Sequence, residues 1–347
     1  MSNQASWIPA PSAQVAVGDA ETYTPSAGEL LVKVHSIAFS PIEAKIQKFA
    51  THPIPYPNIL GSSFAGTVEA VGPDVTSFEK GDNIATIRAG KNYGDPRFGA
   101  YQKYALASVT STSKLGPSTP LHAASAAILN TSAMVSALTI YLGLDRPVLS
   151  GSPTSENKNK KMLIYGGSSS CGGLGIKYAV EAGYTVITTS SAHNRSFVES
   201  LGPAHIIDHR LPESEVVAQL TEQGPYDAIF DTIGTPPATS VLFSYLESLD
   251  KPVTYHSLIP PLPGTREAPE SIKRVFAPYN FAFAEEKHRG LAKWLYEEYI
   301  PKGLVSGKIV ATRQEVLEGG LGSVQGALDR MNEDKVSGVK LVVDPWV

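Results

Sequence analysis

Apolar and other residues alternate in the segment 29–36, which places Leu30, Val32 and Val34 on one side. This period of two predicts a strand with one buried face. Phe64–Val71 and Asn83–Ile87 are further short apolar runs bounded by glycine-containing turns. Four prolines indicate the loops between strands: Pro41, Pro53, Pro55 and Pro57. The first third of the chain is therefore predicted to be a β-rich, barrel-like unit.

The pattern changes near Leu121, where apolar residues recur at helical spacing as far as Tyr141. The polar segment Leu149–Lys160 is predicted to be an exposed, flexible loop. Beyond it, strands and helical stretches alternate, as expected of a parallel doubly wound sheet. The predicted strands are Met162–Tyr165, Tyr184–Thr189, Ala204–Ile207, Tyr226–Asp231 and Pro252–His256.

The carboxyl-terminal part predicts one amphipathic helix, Lys287–Tyr299, followed by the strands Ile309–Ala311 and Val339–Val343. We expect these strands to return to the first domain. The sequence thus predicts an α/β protein in which residues 1–135 and 305–347 form the β-rich domain. Residues 136–304 then form the doubly wound domain.

Composition narrows the class of protein. A chain of 347 residues favours two domains, and 42% hydrophobic with 18% charged residues is ordinary for a globular protein. The net charge of −4, with scattered basic residues, argues against nucleic acid as a partner. Neither a signal peptide nor a membrane-spanning segment is expected, so we predict a cytoplasmic protein. One cysteine, Cys171, excludes an internal disulfide and a thiolate-rich zinc site.

Residues 166–175 read GGSSSCGGLG between a predicted strand and a predicted helix. Small residues there allow backbone amides to approach a pyrophosphate at the amino terminus of the helix. The alternative is a flexible turn without a ligand, but the strand and helix on either side favour a nucleotide. The expected cofactor-binding residues are Gly166, Gly167, Ser168, Ser169, Ser170, Cys171 and Gly172.

The end of the second strand of this unit indicates which nucleotide is bound. An Asp or Glu there accepts the ribose hydroxyls of NAD, but this sequence has no carboxylate at that point. Hydroxyl, amide and guanidinium donors suit a 2′-phosphate instead, so NADPH is the expected cofactor. The alternative is that Arg195 is a solvated residue in the first helical turn. The expected donors are Ser190, Ser191, His193, Asn194 and Arg195.

Several ordered motifs carry a family resemblance: SPIEAK at 40–45, LGSSFAGTV at 60–68, FEKGD at 78–82 and the glycine-rich turn. With them, nearly the whole chain resembles the zinc-independent quinone and enoyl reductase branch of the medium-chain dehydrogenase/reductase family. It is most similar to fungal stand-alone, trans-acting enoyl reductases. The resemblance implies a GroES-like substrate domain and a Rossmann cofactor domain. Ser40 and Ser62 stand where zinc-dependent members carry a cysteine and a histidine, so no metal is expected.

The resemblance also implies roles for individual residues. Ile42 and Lys45 would contact the cofactor, Lys45 reaching its ribose or the substrate carbonyl, and His209 would stack beside the adenosine half. Lys45 has the alternative of a solvated surface lysine. The phenol of Tyr56 either donates to the substrate carbonyl or only packs its ring. The implied substrate-binding residues are Thr131, Ser132, Met134, Val135 and Phe281.

Two of those substrate assignments have structural alternatives. Thr131 or Ser132 could simply cap a helix start. The aromatic loop Val275–Phe283, which contains Phe281, lines either an apolar pocket or a subunit contact.

Four interpretations of function follow. They are a trans-acting enoyl reductase for carrier-bound polyketides, a small-molecule alkene or quinone reductase, a non-catalytic NADPH-binding protein, and a fold recruited to a non-redox step. The expected partners are a small-molecule or carrier-bound acyl substrate and, for the first interpretation, a polyketide synthase. The chain is expected to be a monomer or a homodimer. The sequence does not indicate the substrate itself or the stereochemistry.

Overall fold

The computed structural model describes residues 2–88, 90–153 and 155–347, without the side chain of Lys91. The strands and helices of the first stretch are β1 Asn3–Ile8, β2 Ala16–Ala20, β3 Glu29–Ala38, α1 Pro41–Phe49, β4 Asn58–Ile59, β5 Ser63–Val71, β6 Asn83–Ile87, β7 Tyr104–Ser108, β8 Thr112–Lys114 and α2 Leu121–Val135. Those of the middle stretch are β9 Lys161–Tyr165, α3 Ser170–Glu181, β10 Thr185–Ser190, α4 Arg195–Glu199, β11 His205–Asp208, α5 Glu213–Gln223, β12 Ala228–Asp231, α6 Pro236–Glu247, β13 Val253–Ser257 and β14 Ile272–Phe276. The last stretch holds α7 Arg289–Lys293, α8 Ile300–Ser306, β15 Gln314–Leu317, α9 Val324–Asn332 and β16 Lys340–Val343.

The chain divides into two compact units, residues 1–132 with 280–347 and residues 133–279. The first boundary lies close to the expected 135/136. The second lies at 279/280, whereas the sequence placed it at 304/305. The difference arises because the helical turn Trp294–Tyr299 and α8 contact β8 of the first unit. The segment 280–304 therefore belongs with the strands of the first unit rather than with the doubly wound sheet.

The first unit is β-rich, as predicted. Within the described residues it contains a seven-stranded sheet of order β15-β16-β3-β5-β6-β8, with β7 also paired to β3, and a three-stranded sheet β2-β1-β4. Leu30, Val32 and Val34 are fully buried on one face of β3. Leu31 on the other face is also buried, in a small cluster with Phe98 and Leu106. Burial on both faces explains why Leu31 interrupts the apolar and polar alternation.

Two local expectations for this unit are wrong. Pro41 is not in a loop between strands but is the first residue of α1, where its missing N–H costs nothing. Residues 309–311 form no strand, and the returning strand is instead β15. Ile309 follows the left-handed Gly307 at the end of α8, and its N–H donates to the Gly303 carbonyl at 2.9 Å. Its apolar side chain packs on that helix end instead of entering the sheet.

The second unit contains the predicted parallel sheet. Its order is β11-β10-β9-β12-β13-β14, and each neighbouring pair is parallel. Leu163, Ile187 and Ile229 of the central strands are buried with apolar residues of α5 and α6. This order places the carboxyl ends of β9 and β12 side by side at the point where the strand order reverses. Open sheets of this kind bind ligands at such a point.

Two further expectations concern α2 and the polar segment after it. By length and composition Leu121–Tyr141 could cross a membrane, contrary to expectation, but 83% of its most apolar window is buried inside the protein. Burial of this kind is typical of a core helix. The described residues of the segment 149–160 are exposed, as predicted, apart from Leu149 and Asn157. Asn157 is fully buried, and its amide donates to the Ala182 carbonyl at 3.0 Å. Thr154 of that segment lies outside the described residues.

Candidate functional site

The glycine-rich turn joins β9 to α3 in the second unit. Gly166 has φ of +93°, a conformation that favours glycine. Its N–H donates to the Thr189 hydroxyl at 2.9 Å, and the Gly167 N–H donates to the Thr189 carbonyl at 2.8 Å. The end of β10 therefore fixes the path of the turn.

Close packing explains why small residues occupy this turn. A Cβ added at Gly166 would lie 2.3 Å from the Ile233 side chain, and one at Gly167 would lie 2.4 Å from the Thr188 hydroxyl. A Cβ at Gly172 would lie 2.1 Å from the Gly166 carbonyl oxygen. These glycines thus allow the turn to pack against β10, α3 and the segment after β12.

The amino terminus of α3 follows directly. The Ser169 hydroxyl accepts from the Gly172 N–H at 2.9 Å, so Ser169 caps the helix, and Cys171, which forms no disulfide, is buried in the first turn. Ser168, Ser169 and Ser170 are only half-buried. Partly open serines at the positive end of a 12-residue helix suit a phosphate group. The residues present here therefore fit the pyrophosphate of a dinucleotide.

The predicted 2′-phosphate donors lie after β10. Ser190, Ser191 and Asn194 are buried, while His193 and Arg195 are exposed. The Ser190 hydroxyl donates to the Ser191 carbonyl at 3.2 Å, so this serine supports the turn itself. Arg195 begins α4, and its Nε pairs with Glu199 at 2.9 Å, with both side chains about half exposed. The exposed members are therefore the ones available to a ligand at this edge.

His209 follows β11, whose Asp208 is the register partner of Ser190. The histidine therefore lies at the same edge of the sheet as the predicted 2′-phosphate donors. Burial lowers the pKa of His209 and the Asp208 carboxylate partly opposes that shift. Burial thus favours the neutral form of the ring, which suits stacking against a base.

Helix α1 carries Ile42 and Lys45 in the first unit, and both side chains are half-buried. Lys45 has no hydrogen-bond or ion-pair partner among the residues described. Its neighbour Glu43 is fully buried, and its carboxylate accepts from the Ser40 N–H at 2.6 Å. Lys340 of β16 donates to the Ser40 hydroxyl at 2.8 Å. Glu43 and Lys340 thus fix the first turn of α1 through Ser40. Lys45 takes no part in these contacts, so its ammonium is available to a ligand.

Burial raises the pKa of Glu43, and this effect is opposed by a hydrogen bond from Ser62 and by the Lys340 ammonium. Ser40 and Ser62 are therefore engaged with a buried carboxylate and a buried lysine. In residues 2–88, 90–153 and 155–347, no group of three or more His, Cys, Asp or Glu side chains could hold a metal ion.

Tyr56 lies in the proline-rich segment before β4, and its ring packs against the core of the first unit. Its hydroxyl oxygen is buried and has no hydrogen-bond partner among the described residues. A buried hydroxyl without an acceptor is unfavourable, and a substrate carbonyl would satisfy it. The structure thus shows the packing expected of the ring and leaves the donor role of the phenol as a prediction.

The predicted substrate residues of α2 are all buried: Thr131, Ser132, Met134 and Val135. They lie inside the helix, so the alternative that Thr131 or Ser132 caps a helix start is wrong. The Met134 methyl group packs against α3 beside Gly175. The hydroxyls of Ser132 and Tyr296 are 3.0 Å apart, and the Thr131 hydroxyl has no partner among the described residues. Of the four, Thr131 is the residue with an unused polar group.

Phe281 is 42% exposed, in a short helical turn of the first unit. Its ring meets Tyr93 edge-on, with centroids 5.6 Å apart, and Tyr93 in turn contacts His52 at 5.9 Å. An exposed aromatic surface of this kind suits an apolar ligand. Sequence reasoning did not identify Tyr93, because a single tyrosine in a glycine-rich loop has no local signal.

Comparisons with known proteins agree with this architecture. The family model described as alcohol dehydrogenase GroES-like domain matches residues 26–117. The trans-enoyl reductase himH of Aspergillus japonicus is 32% identical, with 99% of this chain and 97% of that protein covered. The dehydrogenase orsE of Emericella nidulans is 29% identical, with 99% of each chain covered.

A solved mycobacterial protein in complex with NADPH has a TM-score of 0.76 at 21% identity, covering 99% of this chain and 100% of that one. At this identity the likeness shows the fold alone. The full-length relative at 32% identity and the GroES-like match together show that the chain belongs to the medium-chain dehydrogenase/reductase family of oxidoreductases.

Proposed function

We propose that this protein is an NADPH-dependent, zinc-independent reductase that adds hydride to an activated carbon–carbon double bond. Its substrate is an enoyl group carried by a polyketide synthase, so the protein acts in trans. The observation that carries the proposal is the full-length similarity, at 32% identity, to a relative named as a trans-enoyl reductase. Residue-level support comes from the nucleotide-binding edge of the second unit and from Lys45 and Tyr56 in the first.

NADPH is preferred to NADH because of the residues after β10. Ser190, Ser191 and Asn194 shape the turn, and Arg195 and His193 are exposed there. A carboxylate that would repel a 2′-phosphate is missing from residues 188–195. Arg195 supplies a charge-assisted donor for that phosphate.

Bound NADPH would supply the hydride for the β-carbon of the enoyl group. The chain's own residues must then stabilise the negative charge that develops on the carbonyl oxygen, and donate a proton to the resulting enolate to complete the reduction. We assign the first role to the Lys45 ammonium, which has no protein partner among the described residues. We assign the second to the Tyr56 phenol, whose hydroxyl lacks an acceptor in the same part of the chain. Neither role requires a metal ion.

The test is to titrate the purified protein with NADPH and NADH by fluorescence. Enoyl thioesters of a short acyl carrier, simple enones and quinones are then added while reduced-nicotinamide absorbance is followed. We expect tighter binding of NADPH and oxidation of the nucleotide by the thioesters.

Oxidation by quinones alone would replace this proposal with a small-molecule quinone oxidoreductase. Binding without turnover of any acceptor would favour a recruited, non-redox role. If neither nucleotide binds, the proposed activity is wrong.

A further inference from the structure

Asp231 is a buried carboxylate at the carboxyl end of β12, beside the glycine-rich turn. Its Oδ1 accepts from the Ile233 N–H at 2.9 Å and from the Gly234 N–H at 3.0 Å. Gly234 has φ of +60°. The carboxylate thus closes the tight turn 232–234 immediately after the strand. A buried carboxylate that accepts two backbone N–H groups fixes a turn strongly.

The turn 232–234 in turn holds the glycine-rich turn. The Thr232 hydroxyl donates to the Tyr165 carbonyl at 2.8 Å and lies 2.9 Å from the Ser169 hydroxyl. The Ile233 side chain fills the space in which a Cβ of Gly166 would lie. Contacts from this one turn therefore reach both the start of the glycine-rich turn and the cap of α3.

Arg274 on β14 provides the opposite charge. Its Nη2 donates to the Ser257 hydroxyl at 2.9 Å and to the Ile259 carbonyl at 3.1 Å. Burial raises the pKa of Asp231, and among the opposing effects are the two backbone N–H groups, the Arg274 charge and a hydrogen bond from Ser257. The ends of β12, β13 and β14 are thus linked by one charged network of Asp231, Ser257 and Arg274.

This network leaves most of the guanidinium unused. Arg274 Nε and Nη1 are buried and have no hydrogen-bond partner among the described residues. Burial of these two nitrogens without hydrogen-bond partners lowers the stability of the fold. The guanidinium is held at this edge of the sheet by the two Nη2 hydrogen bonds and by its charge near Asp231.

We propose that Asp231 and Arg274 are positioning residues for the pyrophosphate-binding turn, acting through Thr232 and Ile233. This inference rests on the proposed NADPH binding. The Arg274 charge favours the ionised form of the Asp231 carboxyl, Asp231 holds the turn 232–234, and that turn holds Gly166 and Ser169 where a pyrophosphate is received. Neither side chain needs to touch the nucleotide.

The test measures the dissociation constants of NADPH and of adenosine 2′-monophosphate for the full-length protein. Arg274→Met leaves a buried carboxylate without its opposite charge, and we expect the Kd of NADPH to rise by about tenfold or more. The affinity for adenosine 2′-monophosphate, which has no pyrophosphate, should not change. Arg266→Met is the matched control, because Arg266 pairs with Glu247 at the exposed surface of the same unit.

The double variant Asp231→Asn with Arg274→Met provides the rescue. The amide oxygen still accepts from the two N–H groups, and no unpaired charge remains. We expect its Kd for NADPH to return to within about threefold of the wild type. A change in unfolding temperature with no change in either Kd would overturn the inference. So would an equal loss of affinity for both ligands, or a double variant no better than Arg274→Met. Failure of the wild type to bind NADPH would overturn the proposed function as well.

Discussion

Arg195 is the residue that we expect to distinguish NADPH from NADH. Its ion pair with Glu199, one helical turn away, is half exposed and contributes little stability, and its other hydrogen bond, to the Ile206 carbonyl, is long at 3.4 Å. The guanidinium can therefore exchange these partners for a phosphate. We expect Arg195→Gln to weaken NADPH binding by about tenfold or more and to leave NADH binding unchanged. Fluorescence titration with both nucleotides measures the difference. Arg266→Gln serves as control, and equal losses for NADPH and NADH would contradict the role of Arg195.

Lys45 and Lys48 provide a matched pair on one helix. Lys45 is half-buried and lacks a partner among the described residues, whereas Lys48 is exposed and lies over the Phe49 ring. Lys45→Met should lower kcat/KM for an enoyl thioester by about tenfold or more, because the developing charge loses its cation. Lys48→Met should change kcat/KM by less than about twofold. Similar activities of the two variants would show that Lys45 is an ordinary surface lysine.

At the level of elements, the glycine-rich turn depends on space as well as on backbone conformation. Gly166 and Gly264 both have positive φ, but a Cβ at Gly166 would clash with Ile233, whereas one at Gly264 would meet nothing within 4 Å. We expect Gly166→Ala to abolish measurable NADPH binding and Gly264→Ala to preserve it. Both variants carry similar backbone strain. The difference between their unfolding temperatures, measured in parallel, therefore reports the effect of the clash. Retained binding in Gly166→Ala would contradict the close packing of the turn.

Helix α1 depends on a buried acidic residue and a buried basic residue, Glu43 and Lys340, which interact electrostatically. Lys340 is 3% exposed and holds Ser40, while Glu43 is fully buried beside it. Lys340→Met would leave the Glu43 carboxylate without its cation, which should lower the free energy of unfolding by about 3–5 kcal/mol. Urea unfolding measures this loss. Lys335→Met, which removes an exposed partner of Glu333, should cost about 1 kcal/mol or less.

The second change Glu43→Gln tests the same pair. Added to Lys340→Met, it removes the unpaired carboxylate, so part of the lost stability should return. An unfolding midpoint for Lys340→Met equal to that of the wild type would show that the pair does not support the helix.

The sequence predicted those elements whose cause is local. Alternation of apolar residues in 29–36 predicted β3, and the residues around 166–175 predicted the order of strand β9, glycine-rich turn and helix α3. The sequence analysis missed features that depend on residues distant in the chain. Pro41 looked like a loop residue because its helix is fixed by Lys340, about 300 positions away. Asp231 and Arg274 each looked ordinary in sequence, and only the parallel sheet brings them together.

For the whole molecule, each unit has its own buried core. Leu30, Ile37 and Phe64 belong to the core of the first unit, and Leu163, Phe230 and Tyr245 lie in the second unit. The second unit is a continuous stretch of chain, 133–279, and carries the predicted nucleotide-binding edge. Nucleotide binding is therefore expected to stabilise the backbone at the carboxyl ends of the strands in that unit, and not at their amino ends.

The two edges of the sheet in the second unit give that pattern its sharpest test. A cavity of about 380 Å³, lined in part by Pro153, Tyr184 and Gly202, lies at the amino ends of β10 and β11. Open parallel sheets bind ligands at the carboxyl ends, so the cavity is on the wrong edge for the nucleotide. Hydrogen exchange of the full-length protein should slow on NADPH addition at residues 166–173 and 189–195. Exchange around 184–186 and 202–204 should stay the same. Protection confined to the amino edge would move the nucleotide site to the cavity and remove the structural basis for the roles given to Arg195 and Asp231.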